Sequence, residues 1–211
     1  NALFEIFVEQ TGYITTAEKF GYGIVYYPRM QRSKDPVTGV ERFSLHSQAY
    51  YKRVTGACWH RPNGPDSSLH LKRTHPVVQV SLEDARAYAA WTGKRLPTEI
   101  EWEASARTMR GNIYPWGNEW MEDACNLEKS LHGDTTPVDQ YIKFANAFEV
   151  ADMLGNVLEW TCDVAGDKET SETCIVKGAS WISHGEISLT DRHYIEKTAS
   201  SNILGFRCIA I

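Results

Sequence analysis

Asp152-Met153-Leu154-Gly155-Asn156-Val157-Leu158-Glu159-Trp160-Thr161 is the stretch on which the reading of this chain turns. Two carboxylates, Asp152 and Glu159, bracket a glycine and a short apolar run. Calcium takes about 6 to 8 hard oxygen ligands and commonly mixes carboxylates with main-chain carbonyls in a bent loop. This stretch can supply both kinds. Spacing alone also fits a plain turn whose acids are merely solvated. Working outward, the flanking words are Gly93-Lys94-Arg95-Leu96-Pro97-Thr98-Glu99-Ile100-Glu101-Trp102-Glu103 and Tyr114-Pro115-Trp116-Gly117-Asn118 upstream, then Lys177-Gly178-Ala179-Ser180-Trp181 and Gly205-Phe206-Arg207-Cys208 downstream.

A chain of 211 residues with 42% hydrophobic side chains suits one domain with a substantial core, taken as residues 1–211. The net charge of -5, with Lys and Arg dispersed, leaves no basic footprint for nucleic acid. No apolar run approaches the roughly 20 residues that cross a bilayer, so no transmembrane segment is expected in these residues. The five cysteines, Cys58, Cys125, Cys162, Cys174 and Cys208, contain no CxxC pair, which argues against a zinc ribbon or a thioredoxin-type motif. Buried free thiols are the plain expectation. Cys162 and Cys174 remain able to pair if their segments lie side by side, since a bridge needs Cα atoms within about 7 Å.

Leu3, Phe4, Phe7 and Val8 fall at helical spacing before Gly12, which predicts an amphipathic helix over residues 2–11. Residues 20–48 show no sustained period and read as irregular backbone with a short strand. Val77 to Val80 is a β-branched run that reads as a strand. Ser81 then caps a helix carrying Ala85, Tyr88, Ala89 and Trp91, and Thr98 with Glu101 makes a capping box for a second helix through Arg107. Beyond Gly111 the chain offers short strands between turns, among them Ile175 to Lys177 and Phe206 to Ile211. The expectation is an α+β fold.

These words, in this order, resemble the formylglycine-generating enzyme, or sulfatase-modifying factor, family. The resemblance runs from Phe4 to Cys208 and implies a C-type-lectin-like fold of the formylglycine-generating enzyme type, with long loops and little regular secondary structure. Family enzymes oxidise a substrate cysteine with two of their own, which hold copper between the Gly-Ser-Trp/Tyr and Gly-Phe-Arg-Cys words. Ser183 and Ser188 stand at those places here. A serine hydroxyl is hard and stays protonated, whereas Cu(I) is stabilised by soft thiolates. The resemblance therefore implies a scaffold without its oxidase chemistry and without copper. It also implies calcium held by Asp152, Gly155, Val157 and Glu159, the glycine and valine through their carbonyls. A second family site begins with an Asn-Leu pair such as Asn126-Leu127, but the loop that should complete it is cut to Glu128 through Asp134. The usual disulfide partner of Cys208 is replaced by Ala89.

Between 182 and 203 the chain departs from the family's Arg-rich pattern and mixes hydroxyl, imidazole, carboxylate and aromatic groups. Trp181, Ser183, His184, Glu186, Ser188, Thr190, Asp191, His193, Tyr194, Ser201 and Asn202 are the candidate ligand-binding residues, because mixed polar and aromatic side chains on a rigid scaffold suit recognition. An ordinary solvated loop has the same composition. His184, His193 and Asp191 lie near the serines, but sequence proximity supplies neither a positioned base nor oxyanion donors, so no hydrolytic triad is read here. The position of this window also resembles the variable proteins of diversity-generating retroelements, the Treponema variable protein among them. That likeness implies a ligand-binding protein displayed outside the cell or on its surface, with a rewritten window at 182–203, whose partner is a protein or a small molecule. A cysteine-less paralogue that binds sulfatases or the active enzyme, and an oxidase using other residues, are the alternatives.

Overall fold

The quoted stretch becomes the middle of the main sheet. The computed structural model describes residues 1–35, 37–166 and 171–211, with side chains given outside 30–34, 42 and 43. Strand β6 (Leu158–Val164) lies between β7 (Thr173–Lys177), antiparallel to it, and β9 (Leu204–Phe206), parallel to it; β8 (His193–Glu196) pairs with β7 at the other edge. Trp160 is fully buried and donates its indole N–H to the Val80 carbonyl at 2.9 Å, so the ring both fills the core and satisfies a buried polar group. The sheet carries Leu158, Trp160, Cys174, Val176 and Leu204 against the apolar face of a helix bearing Leu82, Ala85 and Ala89.

That helix, α3 (Leu82–Trp91), starts as expected at a capping box in which Ser81 and Asp84 exchange side-chain to backbone bonds. Helix α1 (Ala2–Thr11) matches the periodicity, ends at a left-handed Gly12, and buries Phe4 and Phe7 against Trp59, Val77 and Val80. Helix α4 (Glu99–Arg107) begins at the Thr98–Glu101 box and packs Trp102 and Ala106 onto Met153, Leu154, Ile187 and Leu189.

Three expectations change. Val77 to Val80 is buried but belongs to no strand, because Gln79 takes a left-handed φ of 60° and spends its side chain on the Ile24 and Pro62 carbonyls. The stretch from Phe20 onward is more regular than its composition suggests. Following a five-residue helix, α2 (Thr16–Phe20), it opens with β1 (Tyr22–Tyr27), which ladders with β4 (Tyr50–Thr55) just past its end, and between the two it forms a ribbon of β2 (Met30–Lys34) and β3 (Glu41–Leu45). The strand expected near the end is split, with β10 (Ile209–Ala210) pairing β5 (Lys94–Arg95) in a separate small sheet. Cys58, Cys125, Cys162, Cys174 and Cys208 are all free thiols, Cys208 beside no cysteine at Ala89.

Candidate functional site

Ser183 and Ser188 sit in a run of turns between β7 and β8, pinned from below by buried Trp181, Ile187 and Leu189. The Ser183 hydroxyl accepts from the Ser180 amide at 3.1 Å, and the Ser183 carbonyl accepts from the Glu128 amide at 2.9 Å. Ser188 faces Thr190, hydroxyl to hydroxyl at 2.7 Å, and its amide donates to the Asp191 carboxylate at 3.1 Å. Both hydroxyls thus serve local turn chemistry.

The candidate binding residues divide by burial. His184, Glu186, Thr190, Asp191 and Tyr194 are exposed, and Ser183, Ser188 and His193 are half-buried. Trp181, Ser201 and Asn202 are buried instead. Trp181 donates its indole N–H to the Asn202 carbonyl at 3.2 Å, and the Asn202 side chain is used up by Tyr26 and Asn63, bonding both the amide and the carbonyl of Tyr26. These two stiffen the scaffold beneath the window. The exposed members do not form one patch either. His184 and Gly185 border a cavity, Glu186 turns toward Tyr114, Ser188 through Asp191 close on themselves, and His193 and Tyr194 ride on the edge strand β8.

The cavity is the part that sequence reading missed. It has a volume of about 660 Å³ and is lined by Arg29, Leu45, Glu122, Leu127, Glu128, Lys129, Leu131, His184 and Gly185. Its walls come from four separate regions of the chain, so no local motif announces it. Arg29 clasps Glu128 through its guanidinium, with Nε at 2.7 Å from Oε2, and donates its own amide to Oε1 at 3.0 Å. Burial pushes the Glu128 carboxyl up, but the Arg29 bonds and charge outweigh it and hold the group below its usual range. The result is a largely apolar groove, floored by buried Leu127 with exposed Leu45 and Leu131 beside it, with a fixed ion pair and a separate Lys129–Glu122 pair on its rim. Next along the window, Glu186 accepts from the phenol of Tyr114, which stacks on Trp116 at 5.8 Å and meets Trp120 edge-on at 5.3 Å.

Behind the window the quoted stretch makes its own site. Asp152, Gly155 and Asn156 all have positive φ, and a side chain at Gly155 would meet the Asn126 carbonyl at 2.7 Å, so only glycine allows this close crossing of two chain segments. Glu159 accepts from Trp102 Nε1 at 2.7 Å and from Arg207 Nε at 2.5 Å and Nη2 at 2.7 Å. Arg207 also donates to the carbonyls of Ala151 and Asp152, each at 3.2 Å. Asp152 accepts from Asn156 at 2.9 Å through one oxygen, while the other, Oδ1, is buried with no partner. Burial pushes its carboxyl up to about 6; the Asn156 bond and the Arg207 charge pull against this, and Glu159 adds to it. An orphaned, buried carboxyl oxygen among carbonyls and a second carboxylate fits a hard cation, although Glu159 would share that ion with Arg207. The shortened loop at Asn126 is closed by protein groups instead. Asn126 donates to the Asp134 carbonyl at 2.9 Å and accepts from Ser130 at 2.9 Å.

A family model described as the sulfatase-modifying factor enzyme 1-like domain matches residues 1–210. The chain belongs to that family. It is 36% identical over 228 residues to the inactive C-alpha-formylglycine-generating enzyme 2 of Bos taurus, covering 99% of this chain and 73% of that protein. It is 33% identical over 240 residues to the formylglycine-generating enzyme of Mus musculus, covering 100% of this chain and 63% of that enzyme. Relatives named as inactive and relatives named as enzymes are therefore nearly equidistant in sequence. Among solved structures, PvdO from Pseudomonas aeruginosa superposes with a TM-score of 0.62 at 22% identity over 97% of this chain and 75% of that one. Treponema denticola variable protein 1 does so with 0.57 at 16% identity over 88% and 92%. At these identities the likeness speaks for the fold, which is the expected C-type-lectin-like fold of the formylglycine-generating enzyme type.

Proposed function

We propose that this chain is a non-catalytic member of its family that binds a polypeptide ligand across the groove between the Arg29–Glu128 pair and the His184–Gly185 turn. The observation that carries this reading is the fate of the two cysteine positions. Ser183 and Ser188 offer hydroxyls committed to Ser180 and Thr190 where the oxidase chemistry requires thiolates. The groove meanwhile keeps an apolar floor, a fixed ion pair and rim charges, which suit an extended peptide with apolar and charged side chains. Asp152, Gly155, Val157 and Glu159 would hold a structural calcium ion behind it, supported by the unpartnered Asp152 oxygen. The relatives favour a ligand of the kind family enzymes modify, a cysteine-containing sulfatase segment. Incubating such a peptide with the copper-treated chain should leave its cysteine unchanged by mass spectrometry, while fluorescence anisotropy registers binding that weakens in Lys129→Glu. Aldehyde formation above a protein-free control would refute the non-catalytic reading, and absence of binding would move the ligand elsewhere.

A second reading keeps the same surface and changes its history. His184, Thr190 and Tyr194 stand exposed over a buried frame of Trp181, Ile187 and Leu189, the division a retroelement-diversified, surface-displayed binder needs. The coding locus decides between them. A neighbouring reverse transcriptase with a near-copy of the 182–203 coding segment supports diversification, and a sulfatase gene beside it supports the paralogue.

A further inference from the structure

Away from the groove, α2 and the turn after β4 bring together a thiol, an imidazole and a carboxylate. Cys58 and Arg61 exchange two backbone bonds, at 3.1 and 3.0 Å, which folds Trp59 and His60 into a tight turn. Trp59 is buried against Phe4, with ring centroids 5.4 Å apart, and so anchors that turn to α1. On the facing side, Glu18 is fixed by the capping box of α2, where its Oε2 accepts from the Thr15 amide at 2.9 Å and hydroxyl at 2.6 Å. Its other oxygen, Oε1, points at His60 Nδ1, 3.8 Å away. Cys58 Sγ lies over the ring, 3.5 Å from the same Nδ1 and 3.6 Å from Nε2. The Gly56 amide bonds the Gly21 carbonyl at 2.9 Å, so the two segments holding these groups are tied together by backbone as well.

We propose that Glu18, Cys58 and His60 form a zinc-binding site that clasps α2 to the turn after β4. The three donor atoms all lie within 4.8 Å of one another. A tetrahedral zinc ion, about 2.3 Å from sulfur and about 2.0 to 2.2 Å from nitrogen and oxygen, spaces its ligands roughly 3.3 to 3.6 Å apart. The sulfur–nitrogen pair already has that spacing; the His60 ring must turn so that its Nδ1 lone pair, now at right angles to the sulfur, faces the ion, and Glu18 must step inward. One thiolate with one imidazole selects a borderline or soft ion over calcium or magnesium, and water takes the fourth position. On binding, the Cys58 thiol releases its proton to solvent. Entry is from the His60 side, whose side chain is 41% exposed while Cys58 is buried. The inference is independent of the reading of the groove and uses none of the Asp152 donors.

Cobalt is the probe. Protein freed of metal by chelation and titrated with Co²⁺ should develop near-ultraviolet thiolate-to-cobalt absorption and the strong visible bands of a four-coordinate ion, saturating at one ion per chain and abolished by equimolar Zn²⁺. Cys58→Ser and His60→Ala should each lose the thiolate absorption or its four-coordinate visible bands, Glu18→Gln should weaken binding while keeping its capping box, and Asp152→Asn should leave the spectrum unchanged. His60 is half-buried, less enclosed than Cys58, so its variant reports even where a change at buried Cys58 disturbs folding, and circular dichroism in chelator checks both. No thiolate band in the parent chain, or a band that survives unaltered in Cys58→Ser or His60→Ala, would overturn the proposal.

Discussion

Replacing Asp152 by Asn should stabilise the calcium-free protein, and the gain should grow with pH. Asp152 holds one buried oxygen without a partner, and its carboxyl stands at about 6 in the fold against an ordinary 3.8. The folded chain therefore keeps this proton over a range in which the unfolded chain has released it. Stability is greatest below the unfolded value and falls as pH rises toward the folded one, levelling off above it. A carboxyl moved from 3.8 to about 6 makes the folded state less stable by about 3 kcal/mol once ionised. At about pH 4.5 the same linkage gives only about 1 kcal/mol. Asparagine keeps the shape, tolerates the left-handed φ of 55° at this position, and cannot ionise. Urea denaturation in chelator should thus show Asp152→Asn gaining about 2 kcal/mol on the parent chain between about pH 4.5 and 7.5. Calcium at about a hundredfold excess over its Kd adds about 2.7 kcal/mol to the form that binds it, which nearly closes the gap at about pH 7.5, and at about a thousandfold excess the gain of about 4.1 kcal/mol reverses the ranking. A difference between the two proteins that stays flat with pH would mean that Asn156 and Arg207 offset the burial of the ionised carboxylate, and a parent chain whose stability calcium leaves unmoved would refute the calcium reading of Asp152.

The remaining expectations concern the frame and the surface. Trp160→Ala should lower stability by about 3 to 5 kcal/mol in the same assay, since it empties a fully buried ring site and strands the Val80 carbonyl. His184→Ala, Thr190→Ala and Tyr194→Ala, whose side chains are exposed, should each stay within about 0.5 kcal/mol of the parent. Equal losses in the two sets would show that the window is ordinary structure and carries no separable recognition surface.

The parts of the fold legible in the sequence are those set by neighbours in the chain. Helices α1, α3 and α4 follow from apolar spacing and from caps three residues apart, and all three caps or stops fall where the residues place them. The same logic was available at Thr15 and Glu18, which make a complete box, but five residues are too few for a helical period to show. Val77 to Val80 misleads for the opposite reason. Its composition is that of a strand, yet Gln79 is pulled into a left-handed conformation by carbonyls from residues 24 and 62, partners no local window contains. The groove fails to announce itself in the same way, being assembled from Arg29, Leu45, Glu128 and His184. Cys58 reads as a bland buried thiol until the fold sets Glu18 beside its turn.

The scaffold carries serine at 183 and 188 at little cost because the side chains there make only short-range turn bonds, to Ser180 and Thr190, while the backbone and the buried frame beneath anchor the window. Ser183 is tied to the groove through its carbonyl, which accepts from Glu128, and any residue can offer that group. Arg192 at the far end of the turns pairs with Glu99 on α4, and Glu99 also meets the buried ammonium of Lys177 at 3.4 Å. The Lys177 ammonium is buried over Trp102 and paired by both Glu99 and Glu103, the latter at 3.6 Å, so removing both carboxylates would leave a buried cation unpaired, a far larger penalty than a change at a turn hydroxyl. Chemistry at two turn positions and stability in the frame beneath them are therefore separable in this architecture. A fold built so can exchange the side chains at two turn positions and still present the same groove, which is why a binding role is the economical reading of a chain with hydroxyls where the family's thiols stand.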